Sequence, residues 1–438
     1  MKPNKYKKLI VGINTKIPIS NGKLVKYINF DNAATTPPFV AVLNEIINFS
    51  KWYSSIHRGK GYKSQLSSEI YDKSKKIVAD FVKADLKYNT VIYVKNTTEA
   101  INMLCNVLSQ NHDEFIVLST CMEHHSNDLP WRKKYKVDYV NIDKLGRLDL
   151  KDLENKLIKY NGNVKLVTVT GVSNVTGYKN PIYKIASLAH KYGSKIVVDG
   201  AQLIPHVAMD MKPQHSKEHI DYLAFSAHKM YAPFGIGVLI GPKSIFEKKS
   251  PDYVGGGTVN IVTHDFIEWT HPPEKYEAGT PNIMGVIALI KAIKTLNKLG
   301  MNNLELHEWN LTKYTIENLK LIPDIKLYGD CKNYKDRTSI IPFNIEGLSH
   351  EITAQILSCE RGIAVRNGCF CAQPYIQRLL NISKEEIEKR IVNPNLSHPG
   401  IVRISFGLYN DYTEIDTLID ILNKIVKNKE YYKKKYAH

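Results

Sequence analysis

The sequence has 438 residues, of which 43% are hydrophobic and 24% are charged, an ordinary composition for a globular protein. A chain of this length exceeds what one hydrophobic core usually serves, so we expect two domains. The formal net charge of +17 comes from lysines spread along the whole chain without an aromatic-interleaved basic motif, and we therefore predict no nucleic-acid partner.

The lengths of the apolar segments and the spacing of the cysteines restrict the compartments in which the protein can work and the metal ions it can bind. No apolar run approaches the roughly 20 residues that cross a bilayer, and the apolar segment at residues 9–13 is too short for the core of a signal peptide. The six cysteines are too sparse for a disulfide framework. One close pair, Cys369 and Cys371, lacks the second pair or the histidines of a typical zinc site. We predict a cytoplasmic location, no membrane association and no metal.

The first predicted elements are a short strand at residues 24–30, a small-residue loop at 31–38 and helices at 39–53 and 65–84. From residue 91 onward, apolar runs of strand length alternate with helical patterns. Such strands are typical of parallel sheets that helices cover on both faces. We therefore predict an α/β fold with a mostly parallel seven-stranded sheet sandwiched by helices. The predicted strands are Val91–Val94, Phe115–Leu118, Val137–Ile142, Val164–Thr170, Lys195–Val198, Tyr222–Phe225 and Gly237–Ile240.

A long irregular stretch at residues 255–282 separates this sheet from the C-terminal part of the chain. Two helical patterns follow it, and after them strands mix with helices, as in a smaller α/β domain. We predict a large domain at 31–285 and a small domain that combines 1–30 with 286–438.

Polar residues follow five of the predicted strands at the point where each strand ends. Because ligands of such sheets bind beyond the carboxyl ends of the strands, we expect these residues to share one site. They are Asn96–Glu99, Glu123–His125, Ser173–Asn174, Asp199–Gln202 and Ser226–Lys229.

Lys229 and Asp199 are the most informative of these residues. Taken alone, a lysine in a lysine-rich chain is usually a surface residue, and a strand-end carboxylate is usually a turn residue. A desolvated lysine, however, has a lowered pKa and can form a Schiff base. A buried carboxylate can keep a pyridine nitrogen protonated, which makes the ring of pyridoxal phosphate an electron sink. Together the two residues predict pyridoxal 5'-phosphate as the cofactor.

The other strand-end residues suit the same ligand. Thr97 and Thr98 begin a helix whose free N–H groups suit a phosphate, although each residue taken singly is as readily an N-cap. The remaining candidates are Ser226 and His228 for further hydrogen bonds, His124 for stacking on the ring and Gln202 for the ring hydroxyl.

Seven motifs follow one another along the chain: Asp31-Asn-Ala-Ala34, Thr97-Thr-Glu-Ala-Ile-Asn102, Met122-Glu-His-His-Ser-Asn127, Val172-Ser-Asn-Val-Thr-Gly177, Val198-Asp-Gly-Ala-Gln202, Phe225-Ser-Ala-His-Lys229 and Tyr276-Glu-Ala-Gly-Thr280. In this order they resemble the motifs of class V, fold-type I pyridoxal-phosphate enzymes. Within that class the chain is similar to the Suf-type, group II cysteine desulfurases. The resemblance extends from about residue 24 to residue 425.

The resemblance implies a role for each matching residue. Lys229 matches the Schiff-base lysine and Asp199 the partner of the pyridine nitrogen. Thr280 matches a threonine that reaches the phosphate of a second subunit, which implies a homodimer with shared active sites. The implied ring contacts are His124, also a catalytic residue, and Gln202. The implied phosphate ligands are Thr97, Thr98, Ser226 and His228. The implied substrate contacts are Arg403, Asn174 (which also touches the cofactor), Arg366, Ala34 and His57.

The loop around Cys371 decides the reaction. Desulfurases of this group carry an Arg-x-Gly-x-x-Cys-Ala loop, and residues 366–372 match it with Cys371 in the position of the nucleophile. The resemblance implies that a thiolate attacks the sulfur of L-cysteine, so that a persulfide stays on Cys371 and alanine leaves. A lowered thiol pKa beside Arg366 would favour that attack. A sulfur-acceptor protein is the further partner that this chemistry implies.

Three features depart from the family pattern. Ala227 and Ala232 stand where glycines are usual in the lysine loop, which is a mild change. Cys369 and Phe370 stand where the family has two histidines, and the segment between Cys371 and Arg403 is longer than in typical Suf-type enzymes. Such an insertion can reshape the entrance to the site. The alternative prediction is therefore another class V enzyme that does not require Cys371, namely a selenocysteine or cysteine-sulfinate lyase, an aminotransferase or an epimerase.

Overall fold

The computed structural model describes residues 4–111, 115–393, 395–396 and 398–436. The basic N-terminal lead-in and the long segment before Arg403 therefore each include residues outside the described set. Within the described ranges, no helix is both long enough and apolar enough to cross a membrane.

The N-terminal part of the chain forms three short strands and two helices. β1 (Lys16–Pro18) and β2 (Leu24–Lys26) make an antiparallel hairpin, and β3 (Ile28–Asn29) follows them. α1 (Val40–Ser50) and α2 (Tyr62–Val82) lie where the two helices were predicted. The glycine-rich loop between the helices is exposed.

The central sheet consists of seven strands, β4 (Asn89–Val94), β5 (Ile116–Thr120), β6 (Lys136–Val140), β7 (Val164–Thr170), β8 (Lys195–Asp199), β9 (Tyr222–Ser226) and β10 (Gly237–Pro242). Their order is β4-β10-β9-β8-β7-β5-β6. β10 runs antiparallel to both of its neighbours, and all other pairs are parallel. This topology confirms the predicted fold.

Helices cover both faces of the sheet, which is why its strands are apolar throughout. Successive residues of a strand point to opposite faces. In β8, Ile196 and Val198 pack in the apolar cluster that includes α1 and α2, whereas Val197 packs in the cluster on the other face. The flanking helices are α3 (Thr97–Leu108), α4 (Leu129–Lys134), α5 (Leu150–Lys159), α6 (Ile182–Lys191) and α7 (Lys243–Lys248).

A hairpin and two long helices link the central sheet to the C-terminal unit. β11 (Val259–Val262) and β12 (Ile267–Trp269) pair antiparallel where the sequence indicated only irregular chain. α8 (Ile283–Leu299) packs against α1 and α2, and α9 (Met301–Leu319) leads away from it.

The C-terminal unit contains a four-stranded antiparallel sheet with the order β13-β14-β17-β16. Its strands are β13 (Ile325–Leu327), β14 (Ile340–Ile345), β16 (Arg366–Gly368) and β17 (Ile401–Ser405). β15 (Ile363–Ala364) pairs with β3, so the N-terminal chain joins this unit. The division of domains at residue 285 stays a prediction. The helices are α10 (His350–Arg361), α11 (Gln373–Leu380), α12 (Lys384–Val392), α13 (Tyr412–Lys427) and α14 (Lys429–Tyr436).

Candidate active site

A cavity of about 250 Å³ lies where the carboxyl ends of the parallel strands face the C-terminal unit. The central sheet supplies most of its wall from the turns that follow β4, β5, β7, β8 and β9. The C-terminal unit supplies Arg366, Phe370, Cys371 and Arg403. The cavity thus joins side chains that are remote in sequence, as expected at this edge of a parallel sheet.

Lys229 lies in the single helical turn that ends β9, with its side chain in the cavity. Burial lowers the pKa of Lys229 to about 8; the charge of Arg403 adds to this effect, and the carboxylate of Asp199 opposes it. A much larger fraction of this amine is therefore neutral near pH 7 than for an exposed lysine. The neutral amine is the form that reacts with a carbonyl carbon.

Asp199 ends β8 and is buried, and its Oδ1 accepts a hydrogen bond from the N–H of Ala201 at 2.9 Å. Burial raises the pKa of this carboxyl, whereas the N–H of Ala201 and the charge of Lys229 oppose the rise. A buried carboxylate with unused acceptor capacity favours a cationic N–H donor in the cavity.

Gln202 and His124 line the same cavity as Asp199. Gln202 donates from Nε2 to the carbonyl of Ala33 at 2.6 Å, while its Oε1 is buried and has no hydrogen-bond partner among the described residues. Burial lowers the pKa of His124 to about 3, so its imidazole is neutral. Its Nδ1 accepts from the N–H of Ser126 at 3.1 Å.

The N-terminus of α3 opens on the cavity and favours an anion, because its first N–H groups lack helical partners. Thr97 is held in place, since its N–H and its hydroxyl lie 2.8 and 2.7 Å from Oγ of Ser226. The exposed hydroxyl of Thr98 contacts that of Ser126 at 2.7 Å. Gly237, at the start of β10, lets the backbone of Asn96 just before α3 come close to it, because a Cβ on residue 237 would lie 2.6 Å from Cα of Asn96.

Arg403 projects from β17 into the opposite wall and is buried. Its Nη1 donates to the carbonyl of Asn174 at 2.8 Å, and its Nη2 donates to Oδ1 of Asp31 at 3.1 Å. The guanidinium lies 4.7 Å from the centre of the Phe370 ring. Burial lowers the pKa of Arg403 to about 10, so it stays cationic at neutral pH. Its Nε is buried without a partner in the described part of the chain.

Cys371 is exposed on a tight turn at the mouth of the cavity. The N–H of Ala372 closes the turn on the carbonyl of Cys369 at 2.9 Å, and the two central residues, Phe370 and Cys371, have φ of +50° and +54°. Left-handed backbone in two successive non-glycine residues is costly and is typical of functional sites. The N–H of His125 holds the turn by donating to the carbonyl of Cys371 at 2.6 Å.

The structure brings together all but two of the predicted site residues. His57 is exposed and does not line the cavity; its N–H donates to Ser68 at 2.8 Å. Thr280 is also exposed and lies outside the cavity of its own chain. The predicted residues that line the cavity are Ala34, Thr97, Thr98, His124, Asn174, Asp199, Gln202, Ser226, His228, Lys229, Arg366, Cys371 and Arg403.

Residues of the site that were not predicted as contacts include Asp31, Ser126 and Phe370, together with Ala33 and Thr170. Asp31 and Ser126 lie within recognised motifs, so position in those motifs was the signal available for them. No sequence feature identified Phe370 as a site residue, because nothing in the sequence indicates that its ring packs on Arg403.

The donors and acceptors fit pyridoxal phosphate. The buried carboxylate of Asp199 suits a protonated ring nitrogen, the free Oε1 of Gln202 suits a ring hydroxyl, and the N-terminus of α3 suits the phosphate. In the ranges that the structure describes, no group of three or more His, Cys, Asp or Glu side chains could hold a metal ion.

Known proteins share both the sequence pattern and the fold. The sequence model of the family described as Aminotransferase class-V matches residues 28–418. A probable cysteine desulfurase of Pyrococcus abyssi is 35% identical over 92% of this chain and 94% of its own length. A cysteine desulfurase of Wigglesworthia glossinidia brevipalpis is 33% identical over 95% and 97%.

Solved structures agree with these relatives. The apo structure of a cysteine desulfurase from Thermococcus onnurineus NA1 superposes with a TM-score of 0.82 at 33% identity, covering 95% of this chain and 98% of that one. The cysteine desulfurase CsdA of Escherichia coli gives 0.78 at 29% identity, covering 91% and 94%. The family predicted from the seven motifs is confirmed: the chain belongs to the class V aminotransferase family.

Proposed function

We propose that the protein is a pyridoxal-phosphate-dependent cysteine desulfurase, which converts L-cysteine to L-alanine and keeps the sulfur as a persulfide on Cys371. One observation carries the proposal: the thiol of Cys371 and the amine of Lys229 line the same cavity, with the cation of Arg403 in its wall. The names of the full-length relatives support the same reaction.

The residues that would hold the cofactor are Lys229, through its amine, and Asp199, Gln202 and His124 around the ring. Thr98, Ser226 and His228 lie near the expected phosphate. When bound, pyridoxal phosphate supplies an electron sink for bonds that break next to the amino-bearing carbon of the substrate. The Nζ atom of Lys229, with a pKa of about 8, can hold or release a proton near neutral pH.

The substrate carboxylate would bind to Arg403. Without substrate, the guanidinium of Arg403 donates to Asp31 at 3.1 Å. A substrate carboxylate would therefore compete with the carboxylate of Asp31 for Arg403. Arg366 reinforces the cluster, with its Nη1 at 3.7 Å from Oδ2 of Asp31. Two arginines face one carboxylate, so the cluster has a net positive charge that can bind a second anion. A planar guanidinium can bind a carboxylate through two hydrogen bonds.

Cys371 would act on the sulfur of the substrate. Cys371 is the exposed residue of its turn. The N–H of His125 holds the turn, and the Nδ2 of Asn174 donates to the carbonyl of Phe370 at 2.7 Å, so the thiol is presented from a fixed backbone. A new S–S bond would form between the Cys371 thiolate and the substrate sulfur as the C–S bond of the substrate breaks, the electron pair of that bond staying with the carbon skeleton, which then takes up a proton. The carbon skeleton then leaves as alanine, and a thiol reductant or a sulfur-acceptor protein removes the sulfur.

The first test is the Cys371→Ala variant. We expect sulfide release from L-cysteine in the presence of a thiol reductant to fall by at least about 10³-fold, because the attacking group is gone. The visible absorbance of the bound cofactor should persist, since Cys371 does not hold it. Cys359→Ala, which changes a half-buried cysteine of α10 outside the cavity, is the matched control. Unchanged sulfide release by Cys371→Ala would refute the proposal.

We also propose that the protein works as a homodimer with shared sites. Thr280 is exposed and outside its own cavity. The nearby hairpin exposes apolar side chains that a partner could bury, including Ile261, Val262 and Phe266. Light scattering should give twice the chain mass of 49.9 kDa. Replacing Ile261 and Val262 by aspartate should yield monomers with weakened cofactor binding; monomeric wild-type protein would exclude the shared site.

A further inference from the structure

A second cavity of about 220 Å³ lies next to the Cys371 turn and shares no lining residue with the active-site cavity. The segment that lengthens the chain between Cys371 and Arg403 forms most of its wall, through helix α12 and the residues before β17. Its lining includes Cys369, Ile382, Ile387, Ile391 and Pro399. Its other lining residues are Gln373, Gln377, Arg390 and His398, so the cavity combines apolar with polar side chains and contains one thiol.

The turn places two cysteines in two different cavities. Cys371 lines the active-site cavity, and Cys369 lines the second one. Consecutive Cα atoms are 3.8 Å apart, so the Cα atoms of these two residues cannot be more than about 7.6 Å apart, and the folded turn brings them closer. Cysteines whose Cα atoms are about 4.4–6.8 Å apart can be joined through their sulfurs, and the folded turn holds these two residues near that separation.

The two thiols differ in exposure. Cys371 is exposed, whereas Cys369 is half-buried and donates from Sγ to the carbonyl of Pro399 at 3.1 Å. Burial raises the pKa of the Cys369 thiol, and the neighbouring Cys371 adds to the rise. Cys369 is therefore mostly a protonated thiol, and it lines the second cavity instead of the active-site cavity, so the first attack on the substrate falls to Cys371.

We propose that Cys369 is a second sulfur carrier, which takes the outer sulfur from the persulfide on Cys371 and holds it in the second cavity. The inference rests on the proposed function, because that reaction supplies the persulfide. In the transfer, Sγ of Cys369 forms a bond to the outer sulfur, and the bond between that sulfur and Sγ of Cys371 breaks. The electron pair of the broken bond and the proton from Cys369 both go to Cys371. No oxidant or reductant is consumed.

The transfer has a functional consequence that can be counted. Cys371 returns to a free thiol and can attack a second L-cysteine before any acceptor arrives. Without a reductant, each chain should therefore release about two equivalents of alanine in a rapid burst, against about one if Cys371 alone held sulfur. Because Cys369 is half-buried and Cys371 is exposed, sulfur held on Cys369 is better shielded from water and thiols than a persulfide on Cys371.

The experiment uses the holoenzyme with L-cysteine and no reductant. The alanine burst is measured, and the alkylated protein is then cleaved with chymotrypsin, which cuts after Phe370 and so separates the two cysteines for mass spectrometry. We expect an extra sulfur atom on each cysteine. The burst should fall by about half in Cys369→Ser and stay unchanged in Cys359→Ser, which is outside both cavities.

The outcomes separate the two proposals. If the wild-type protein forms no alanine, the proposed function fails. If it forms alanine with extra sulfur only on Cys371 and with the same burst as Cys369→Ser, only the second carrier is refuted. A disulfide between Cys369 and Cys371 with free sulfide would also refute storage. Locating the extra sulfur atoms by mass spectrometry uses the wild-type protein, so this test does not depend on whether a variant folds.

Discussion

Replacing Lys229 by alanine is expected to abolish turnover of L-cysteine, with a loss of at least about 10³-fold. In the proposed function, the amine of Lys229 holds the cofactor covalently and moves protons near its carbon atoms. Alanine keeps neither ability. Asp199, Gln202 and the N-terminus of α3 remain, so the variant should still bind pyridoxal phosphate, without the covalent link. Borohydride should fix the cofactor to the wild-type chain and not to Lys229→Ala.

Lys275→Ala is the matched control. Lys275 is also buried and also has a pKa lowered by burial, but its Nζ donates to the carbonyl of Glu247 at 2.9 Å, outside the cavity. Borohydride should fix the cofactor to this variant as in the wild-type protein, although its thermal stability should be lower. Fixation of the cofactor in Lys229→Ala, or its loss in Lys275→Ala, would contradict the assignment.

The pH dependence of cofactor capture tests the same lysine in the unmodified protein. Only the neutral amine reacts, so the rate at which the apoprotein captures pyridoxal phosphate should rise with pH and level off above about 8, instead of continuing towards the usual lysine pKa of 10.5. Asp199 opposes the lowering of this pKa. Asp199→Asn should therefore move the inflection to lower pH. An inflection near the usual lysine value would show that Lys229 is not the buried amine described above.

The fold was largely predictable because its strands are buried on both faces. Continuous apolar runs identified β7 and β9 to within a residue. Since parallel strands end at one edge, the polar residues after them could be assigned to one site without knowing their contacts. The β11–β12 hairpin was missed because its strands are short and exposed, so Val259 to Val262 show no buried pattern.

Site residues whose role depends on a single motif could be predicted from the sequence. Contacts between segments that are distant in the sequence could not. The pairing of Asp31 with Arg403 depends on the contact of the C-terminal unit with the N-terminal chain. The backbone of Phe370 and Cys371 is equally a product of tertiary contacts, since neither residue by itself favours positive φ. Phe370 is fixed by packing with Met122, Val175 and Ile401 from three different segments.

Arg403 gives the second large effect that we expect. Arg403→Ala should reduce kcat/KM for L-cysteine by about 10² to 10³-fold, which corresponds to roughly 3–4 kcal/mol. In the proposed function the variant lacks the guanidinium that binds the substrate carboxylate, and Asp31 loses its partner at 3.1 Å. Arg403→Lys should recover little of the loss, because an ammonium cannot bond Asp31, the carbonyl of Asn174 and a substrate carboxylate in the same plane.

Cysteamine, which is cysteine without its carboxylate, separates substrate recognition from general damage. The wild-type enzyme should strongly prefer L-cysteine, and the preference should collapse in Arg403→Ala because only the reaction of L-cysteine depends on the guanidinium. Arg337→Ala is the matched control: Arg337 is buried to the same degree, donates to the carbonyls of Asp330 and Ile340, and lies outside the cavity. It should lower stability and leave the preference intact. An unchanged preference in Arg403→Ala would mean that the carboxylate binds elsewhere, and Arg366, the other arginine in the cavity wall, would then be the next residue to test.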